Sequence, residues 1–161
     1  MLRNKTLKIT TPSDRELSWT REFNASRKLV FDAMTKPELI RRWLLGPEGW
    51  TMPVCEVDLR VGGKYRYVWS HPEKGEMGMG GVYKEIIKPE KIVSTEVFDE
   101  AWYAYEAIGT VVLVENDGKT TVITTMQYEN KEVRDGVLKS NMETGIAASY
   151  DRLAEVLEGL A

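Results

Sequence analysis

The C-terminal quarter of the chain decides the fold: residues 120–160 read TTVITTMQYENKEVRDGVLKSNMETGIAASYDRLAEVLEGL. The segment 120–128 is β-branched and aromatic, which is typical of a strand. Residues 131–138 are expected to form a short helix or turn. Ser140-Asn141-Met142-Glu143 has the pattern of a capping box and predicts the start of a helix of about 19 residues. The apolar stripe of this helix consists of Met142, Ile146, Ser149, Leu153, Val156 and Leu157.

A run of strands precedes this helix. Apolar residues alternate with polar ones around Cys55–Leu59 and Tyr65–Trp69, and Gly62-Gly63 marks a turn between these two strands. Further strands are expected at about 79–87, 91–98 and 106–115. Asn116-Asp117-Gly118-Lys119 predicts a tight hairpin turn, because Asp-Gly supplies the positive φ values that such turns need.

The N-terminal part adds strands at 7–11 and 17–23, followed by two short helices. Helical spacing of apolar residues at 29–34 predicts the first helix. Thr35-Lys36-Pro37-Glu38 predicts a capping box that opens the second helix, whose apolar stripe is Leu39, Ile40 and Trp43. This order of elements indicates an α+β fold, in which a curved antiparallel sheet wraps around the long C-terminal helix.

Length and composition predict one domain spanning residues 1–161, which is 42% hydrophobic and 29% charged. The net charge of −3 argues against a nucleic-acid partner. No apolar run is long enough for a membrane span, and the first residues lack the apolar core of a signal peptide. A single cysteine excludes an internal disulfide, which fits a reducing compartment, and we therefore expect a cytoplasmic protein.

Three features that resemble reactive sites have simpler interpretations. Cys55 and His71 are the only cysteine and histidine, so we expect no metal site and no cofactor. His71 is expected in an exposed loop, and Cys55 is expected to face inward as an inert thiol. The glycine-rich segment 75–81 leads into a strand rather than a helix, so it predicts a flexible hairpin with a bulge and not a phosphate-binding loop.

Several segments together resemble a known family. They are Val30 to Leu39 followed by Trp43, then Asp58 to Gly63, Gly81 to Ile86, Ser94 to Asp99, and Ser149 to Leu153. In this order and spacing, over about residues 17–159, the chain resembles the START-like (SRPBCC) superfamily, in the branch of homologues of the activator of a heat-shock chaperone ATPase. The resemblance implies a helix-grip fold like that of the birch-pollen allergen. It leaves the function open, because the superfamily includes lipid carriers, hormone-binding proteins, polyketide cyclases and co-chaperone domains.

Large aromatic and sulfur-containing side chains are placed where a helix-grip fold has its cavity. We expect an apolar cavity between the sheet and the C-terminal helix, widest near the small residues Gly145, Ala148 and Ser149. Its predicted ligand-binding residues are Trp43, Tyr67, Trp69, Tyr83, Phe98, Trp102, Met142 and Ile146. The alternative is that these side chains fill a solid core. No catalytic residue is assigned.

Three functions follow from this picture. The first is non-catalytic binding or transport of a small hydrophobic molecule, the expected partner. The second is an enzyme of the polyketide cyclase or hydrolase type that uses Arg60, Glu96 or Tyr83. Arg60 and Glu96 are candidates for polar groups in the cavity, although both could instead form surface ion pairs with Asp58 and Asp99. The third is a chaperone-interaction module. The sequence leaves homodimer formation open.

Overall fold

The computed structural model describes residues 7–100 and 106–160. These residues form eight strands and four helices, in the order β1 (Lys8–Thr10), β2 (Glu16–Phe23), α1 (Arg27–Thr35), α2 (Pro37–Trp43), β3 (Thr51–Val57), β4 (Lys64–His71), β5 (Gly75–Ile87), β6 (Lys91–Phe98), β7 (Ala107–Asn116), β8 (Lys119–Gln127), α3 (Lys131–Leu138) and α4 (Met142–Leu160). The predicted α+β class and the long C-terminal helix are confirmed. No helix in the two described ranges is both long and apolar enough to cross a bilayer.

All eight strands belong to one antiparallel sheet with the order β1-β2-β8-β7-β6-β5-β4-β3. Successive side chains of a strand point to opposite faces, so each strand contributes alternate residues to the concave inner face. On β8, for example, Thr120, Val122, Thr124 and Met126 are buried, whereas the residues between them are only half-buried. The inner face of the sheet and α4 together enclose the core, as expected for a helix-grip fold.

Helix α4 packs into the sheet through a stripe close to the predicted one. Ser149, Leu153, Val156 and Leu157 are buried as expected, and Tyr150 is buried beside them. The other two predicted members, Met142 and Ile146, are half-buried. An ion pair of 3.0 Å between Arg21 of β2 and Asp151 fixes the orientation of the helix against the sheet.

The helix starts differ from both predicted capping boxes. Thr35 belongs to the last turn of α1, where its hydroxyl donates to the Phe31 carbonyl at 2.8 Å, so it cannot cap α2. Ser140 likewise donates to the Val137 carbonyl and closes α3 rather than opening α4. In each case the hydroxyl is used by the preceding helix, because the two helices are separated by too few residues for an independent cap.

The glycine-rich segment is not a flexible hairpin. Residues 75–81 form the first half of the 13-residue strand β5, paired with β4 along its length, and the bulge lies later, between Tyr83 and Glu85. His71 is half-buried rather than exposed, and its Nδ1 accepts hydrogen bonds from the backbone N–H groups of Glu73 and Lys74, at 3.1 Å each. His71 therefore shapes the β4–β5 turn.

Candidate ligand-binding site

A row of aromatic rings lines the inner face of β4 and β5. Tyr65, Tyr67 and Trp69 alternate along β4 and are all buried, as is Tyr83 on β5. The ring centroid of Tyr65 lies 5.2 Å from that of Tyr67 and 5.4 Å from that of Tyr83. Tyr67 and Trp69 are 5.9 Å apart in an edge-to-face arrangement. These separations are those of favourable aromatic pairs, so the row is a rigid apolar surface.

Glu96 introduces a carboxyl group into this apolar surface. On β6 it shares the inner face with Ile92 and Phe98, and it lies opposite Ala107 of β7. Its side chain is half-buried, yet so much protein surrounds the carboxyl that burial raises its pKa from about 4.5 to about 7. The part of the inner face around Glu96 and Tyr67 is the candidate site and is called the recess below.

Two tyrosine hydroxyls of the aromatic row have no hydrogen-bond partner in the described ranges, and one of these tyrosines, Tyr67, lies near Glu96. The Tyr65 hydroxyl donates to the Thr95 carbonyl at 2.5 Å. Within residues 7–100 and 106–160, the Tyr67 and Tyr83 hydroxyls form no hydrogen bond. Burial raises the pKa of both phenols well above its ordinary value, so both remain neutral O–H donors at physiological pH.

Glu96 lies at the boundary between two apolar clusters. Its electrostatic neighbours Tyr65 and Tyr67 belong to the larger cluster, which includes Leu153 and most of the buried residues. Its cross-strand partner Ala107 belongs to a smaller cluster with Leu17, Met126, Tyr128 and Val133. Glu96 therefore has neighbours from both clusters, and the half-buried Trp19 of β2 also packs against both of them.

The structure does not bring all of the predicted ligand-binding residues together. The indole N–H groups of Trp43 and Trp69 donate to the carbonyls of Ala33 and Leu44, at 2.9 and 2.7 Å, so these two side chains are built into the core. Tyr67 adjoins the recess, Tyr83 belongs to the same aromatic row, and the half-buried Phe98 and Ile146 pack against the same cluster. Met142 packs instead against the smaller cluster. Trp102 lies outside the described residues.

Gly145 and Ser149 of α4 face a loop rather than a void, contrary to expectation, whereas Ala148 lines an open cleft beside Leu7 and Asp151. A Cβ on Gly145 would lie 3.7 Å from Pro47 Cδ, in the loop after α2. In the same loop, Gly46 donates its N–H to the Ser149 hydroxyl at 2.8 Å, and its carbonyl accepts from Arg152 at 2.6 Å. The small size of Gly145 and Ser149 therefore allows this loop to approach the helix.

The structure does not bring the candidate polar residues together in one site. Arg60 pairs with Asp58 at 2.9 Å, and both side chains are exposed. Asp99 forms two hydrogen bonds with Arg66 on the outer face, at 2.9 and 2.6 Å. Beside that pair lies an outer cleft of about 480 Å³, lined among others by Glu56, Lys64 and Val97. Of the predicted polar groups, Glu96 alone is half-buried on the inner face. The alternation of residues along β6 could have indicated this position, because Glu96 lies in the same alternating series as Ile92, Ser94 and Phe98.

Replacing Glu96 by glutamine should stabilise the protein at alkaline pH. Because the pKa of Glu96 is raised in the folded state, the native protein holds this proton more tightly than the unfolded chain, and stability falls as pH rises from about 4.5 to 7. At 1.36 kcal/mol per pH unit, and allowing for water in the recess, the variant should gain about 1–3 kcal/mol near pH 8 and nothing near pH 4.

Urea unfolding of both proteins at the two pH values measures this difference. The exposed Glu76 provides the matched control, because Glu76→Gln removes the same charge without affecting the recess. An equal effect of Glu96→Gln at both pH values would show that the carboxyl is not enclosed.

Comparison with known proteins agrees with the architecture. The family profile described as activator of Hsp90 ATPase homolog 1-like protein matches residues 24–158. A solved structure from Rhodobacter sphaeroides superposes with a TM-score of 0.90 at 29% identity, covering 96% of this chain and 99% of that chain. A solved structure of a Chromobacterium violaceum protein superposes with a TM-score of 0.79 at 26% identity, and the match covers 91% of this chain and 99% of that chain.

An Hsp90 activator from Plasmodium falciparum is a more distant structural relative. It superposes with a TM-score of 0.59 at 23% identity, covering 82% of this chain and 91% of that chain, which supports the shared fold. The search of curated proteins gave no match. Since the family profile covers most of the sequence, the chain belongs to the activator of Hsp90 ATPase homolog 1-like family, with a helix-grip fold of the START-like type.

Proposed function

We propose that this protein binds a small hydrophobic molecule between the inner face of the sheet and α4, and that it does not alter the molecule chemically. The observation that carries the proposal is the recess at Glu96. There the Glu96 carboxyl and the Tyr67 hydroxyl adjoin the aromatic row and have no hydrogen-bond or ion-pair partner among the described residues. A few polar groups in an apolar site are the usual means of orienting a hydrophobic ligand.

The position of the polar residues favours binding over catalysis. A cyclase or hydrolase would need acid and base groups that converge on one substrate atom. Three residues were considered for such chemistry. Arg60 is exposed and paired with Asp58, so Glu96 and Tyr83 remain as the candidate acid and base groups. The pKa values of the Tyr67 and Tyr83 phenols are raised by burial, so both hydroxyls act as hydrogen-bond donors rather than bases.

Filling the recess tests the proposal. Ser94 is half-buried on β6, on the inner face two residues before Glu96, and it pairs with Tyr83 and Gly109. Ser94→Phe should weaken binding of the neutral apolar dye N-phenylnaphthylamine at least about tenfold, because the added ring occupies the ligand volume. Dye fluorescence measures the affinity, and circular dichroism checks the fold.

Val97→Phe is the control on the same strand. Val97 is exposed on the outer face, so this variant should bind the dye like the parent. Equal affinity of the parent and Ser94→Phe would place the dye elsewhere. Weaker binding to Val97→Phe alone would place it in the outer cleft.

Contact with an Hsp90-type chaperone is a second candidate, supported by the family to which the chain belongs. The test is the ATPase rate of the Hsp90 from the same organism with and without this protein. A rate increase that saturates with protein concentration would support the role, and an unchanged rate would leave ligand binding as the function.

A further inference from the structure

His71 connects two loops at one end of the sheet. It is the last residue of β4 and pairs with Gly75 at the start of β5, so its side chain lies beside the β4–β5 turn. Its Nδ1 accepts hydrogen bonds from the backbone N–H groups of Glu73 and Lys74. The centroid of its ring also lies 5.1 Å from that of Trp50, in the loop before β3. One imidazole therefore contacts both the turn and the loop.

The two hydrogen bonds fix the protonation state of this imidazole. A nitrogen atom that accepts a hydrogen bond carries no proton, so Nδ1 of His71 is unprotonated and Nε2 carries the proton of the neutral ring. In an imidazolium both nitrogen atoms are donors, and turning the ring over would present only a C–H group to the turn. Protonation therefore removes both hydrogen bonds, whichever way the ring is turned.

The contact with Trp50 does not depend on an unprotonated nitrogen. The π face of an indole attracts a cation, so an imidazolium at this place retains a favourable contact with Trp50. Nε2 of His71 also lies close to the backbone of Gly49, where a Cβ would be 2.7 Å from it. Protonation therefore separates the ring from the turn and leaves it packed against the loop.

The charged groups around the ring do not replace the lost hydrogen bonds. The turn contributes Glu73 and Lys74, the start of β5 contributes Glu76, and the loop before β3 contributes Glu48. All four side chains are exposed, and in the described ranges none of their charged atoms pairs with His71. His71 itself is half-buried, so solvent can deliver the proton.

We propose that the β4–β5 turn is a pH-sensitive switch, which is closed while His71 is neutral and opens when Nδ1 is protonated. Imidazoles change charge between about pH 5 and pH 8, so mild acid is enough to operate the switch. Opening releases the turn and the ends of β4 and β5, where His71 pairs with Gly75. The proposal does not depend on ligand binding.

Amide hydrogen exchange, followed by nuclear magnetic resonance, tests the switch. Each of the Glu73 and Lys74 amides loses one hydrogen bond when His71 is protonated. Their protection, corrected for the intrinsic exchange rate, should therefore be about tenfold lower at about pH 5 than at about pH 7.5. Circular dichroism at both pH values checks that the fold is intact.

Two variants separate the effect of the proton from that of the ring. His71→Asn keeps a side-chain acceptor for the turn but cannot be protonated, so both amides should stay protected at about pH 5. His71→Phe keeps a ring beside Trp50 but has no acceptor, so both amides should lack this protection at both pH values. Equal protection in the parent at the two pH values would overturn the proposal. The same loss in His71→Asn as in the parent would also overturn it, because a group other than His71 would then control the turn.

Discussion

Replacing Leu153 by alanine should lower the free energy of unfolding by about 2–5 kcal/mol, because it removes buried methyl groups and leaves a cavity. Leu153 is completely buried in the middle of α4, in the larger apolar cluster that joins this helix to the sheet. This truncation therefore tests directly whether α4 packs against the sheet. Urea unfolding followed by circular dichroism gives the change.

Leu138→Ala is the matched control. Leu138 lies at the end of α3 with 40% of its surface exposed, so the same truncation should cost no more than about 0.5 kcal/mol. Equal losses for the two variants, or a loss below about 0.5 kcal/mol for Leu153→Ala, would mean that α4 does not pack into the sheet as described.

Gly81→Ala should cost about 3 kcal/mol, although it adds a single methyl group. A Cβ at this position would lie 1.9 Å from the Thr95 carbonyl oxygen and 2.9 Å from Tyr65 Cε1. The nearer of these atoms belongs to the backbone, so strand β6 would have to move away from β5. That movement would also disturb the Tyr65 hydroxyl, which donates to the same carbonyl.

A glycine-to-alanine substitution in α4 should instead raise the free energy of unfolding. Gly145→Ala places its methyl group 3.7 Å from Pro47, an ordinary contact, and alanine favours a helix over glycine by about 0.8–1.0 kcal/mol. Thermal unfolding of both variants compares them directly. A stable Gly81→Ala variant would show that the strands do not approach each other as closely as the structure indicates.

Local patterns predicted the secondary structure well because they depend on neighbours in the chain. Alternation placed Tyr65, Tyr67 and Trp69 on one face of β4, and the apolar stripe of α4 indicated how that helix is buried. The prediction that Cys55 faces inward is also confirmed, because the thiol is buried. The two capping-box predictions were wrong, because a hydroxyl between two close helices can bond to either helix.

The candidate site was harder to predict because it depends on contacts between distant segments. Nothing near Trp43 or Trp69 indicates that Ala33 and Leu44 carbonyls will take up their indole N–H groups. The sequence does not indicate that Gly145 faces the Gly46–Pro47 loop rather than the sheet. Glu96 could be placed on the inner face from its strand alone, but the lack of a counter-charge became evident in the assembled sheet.

The most direct measurement is the set of intermolecular nuclear Overhauser effects between bound octanol and the isotopically labelled protein. Ligand binding in the recess predicts contacts from the alkyl chain to the ring protons of Tyr67, Tyr83 and Phe98. These rings belong to or pack against the cluster that borders Glu96. Contacts confined to Val82 and Val97, which line the outer cleft, would contradict the central claim that the ligand lies between the sheet and α4.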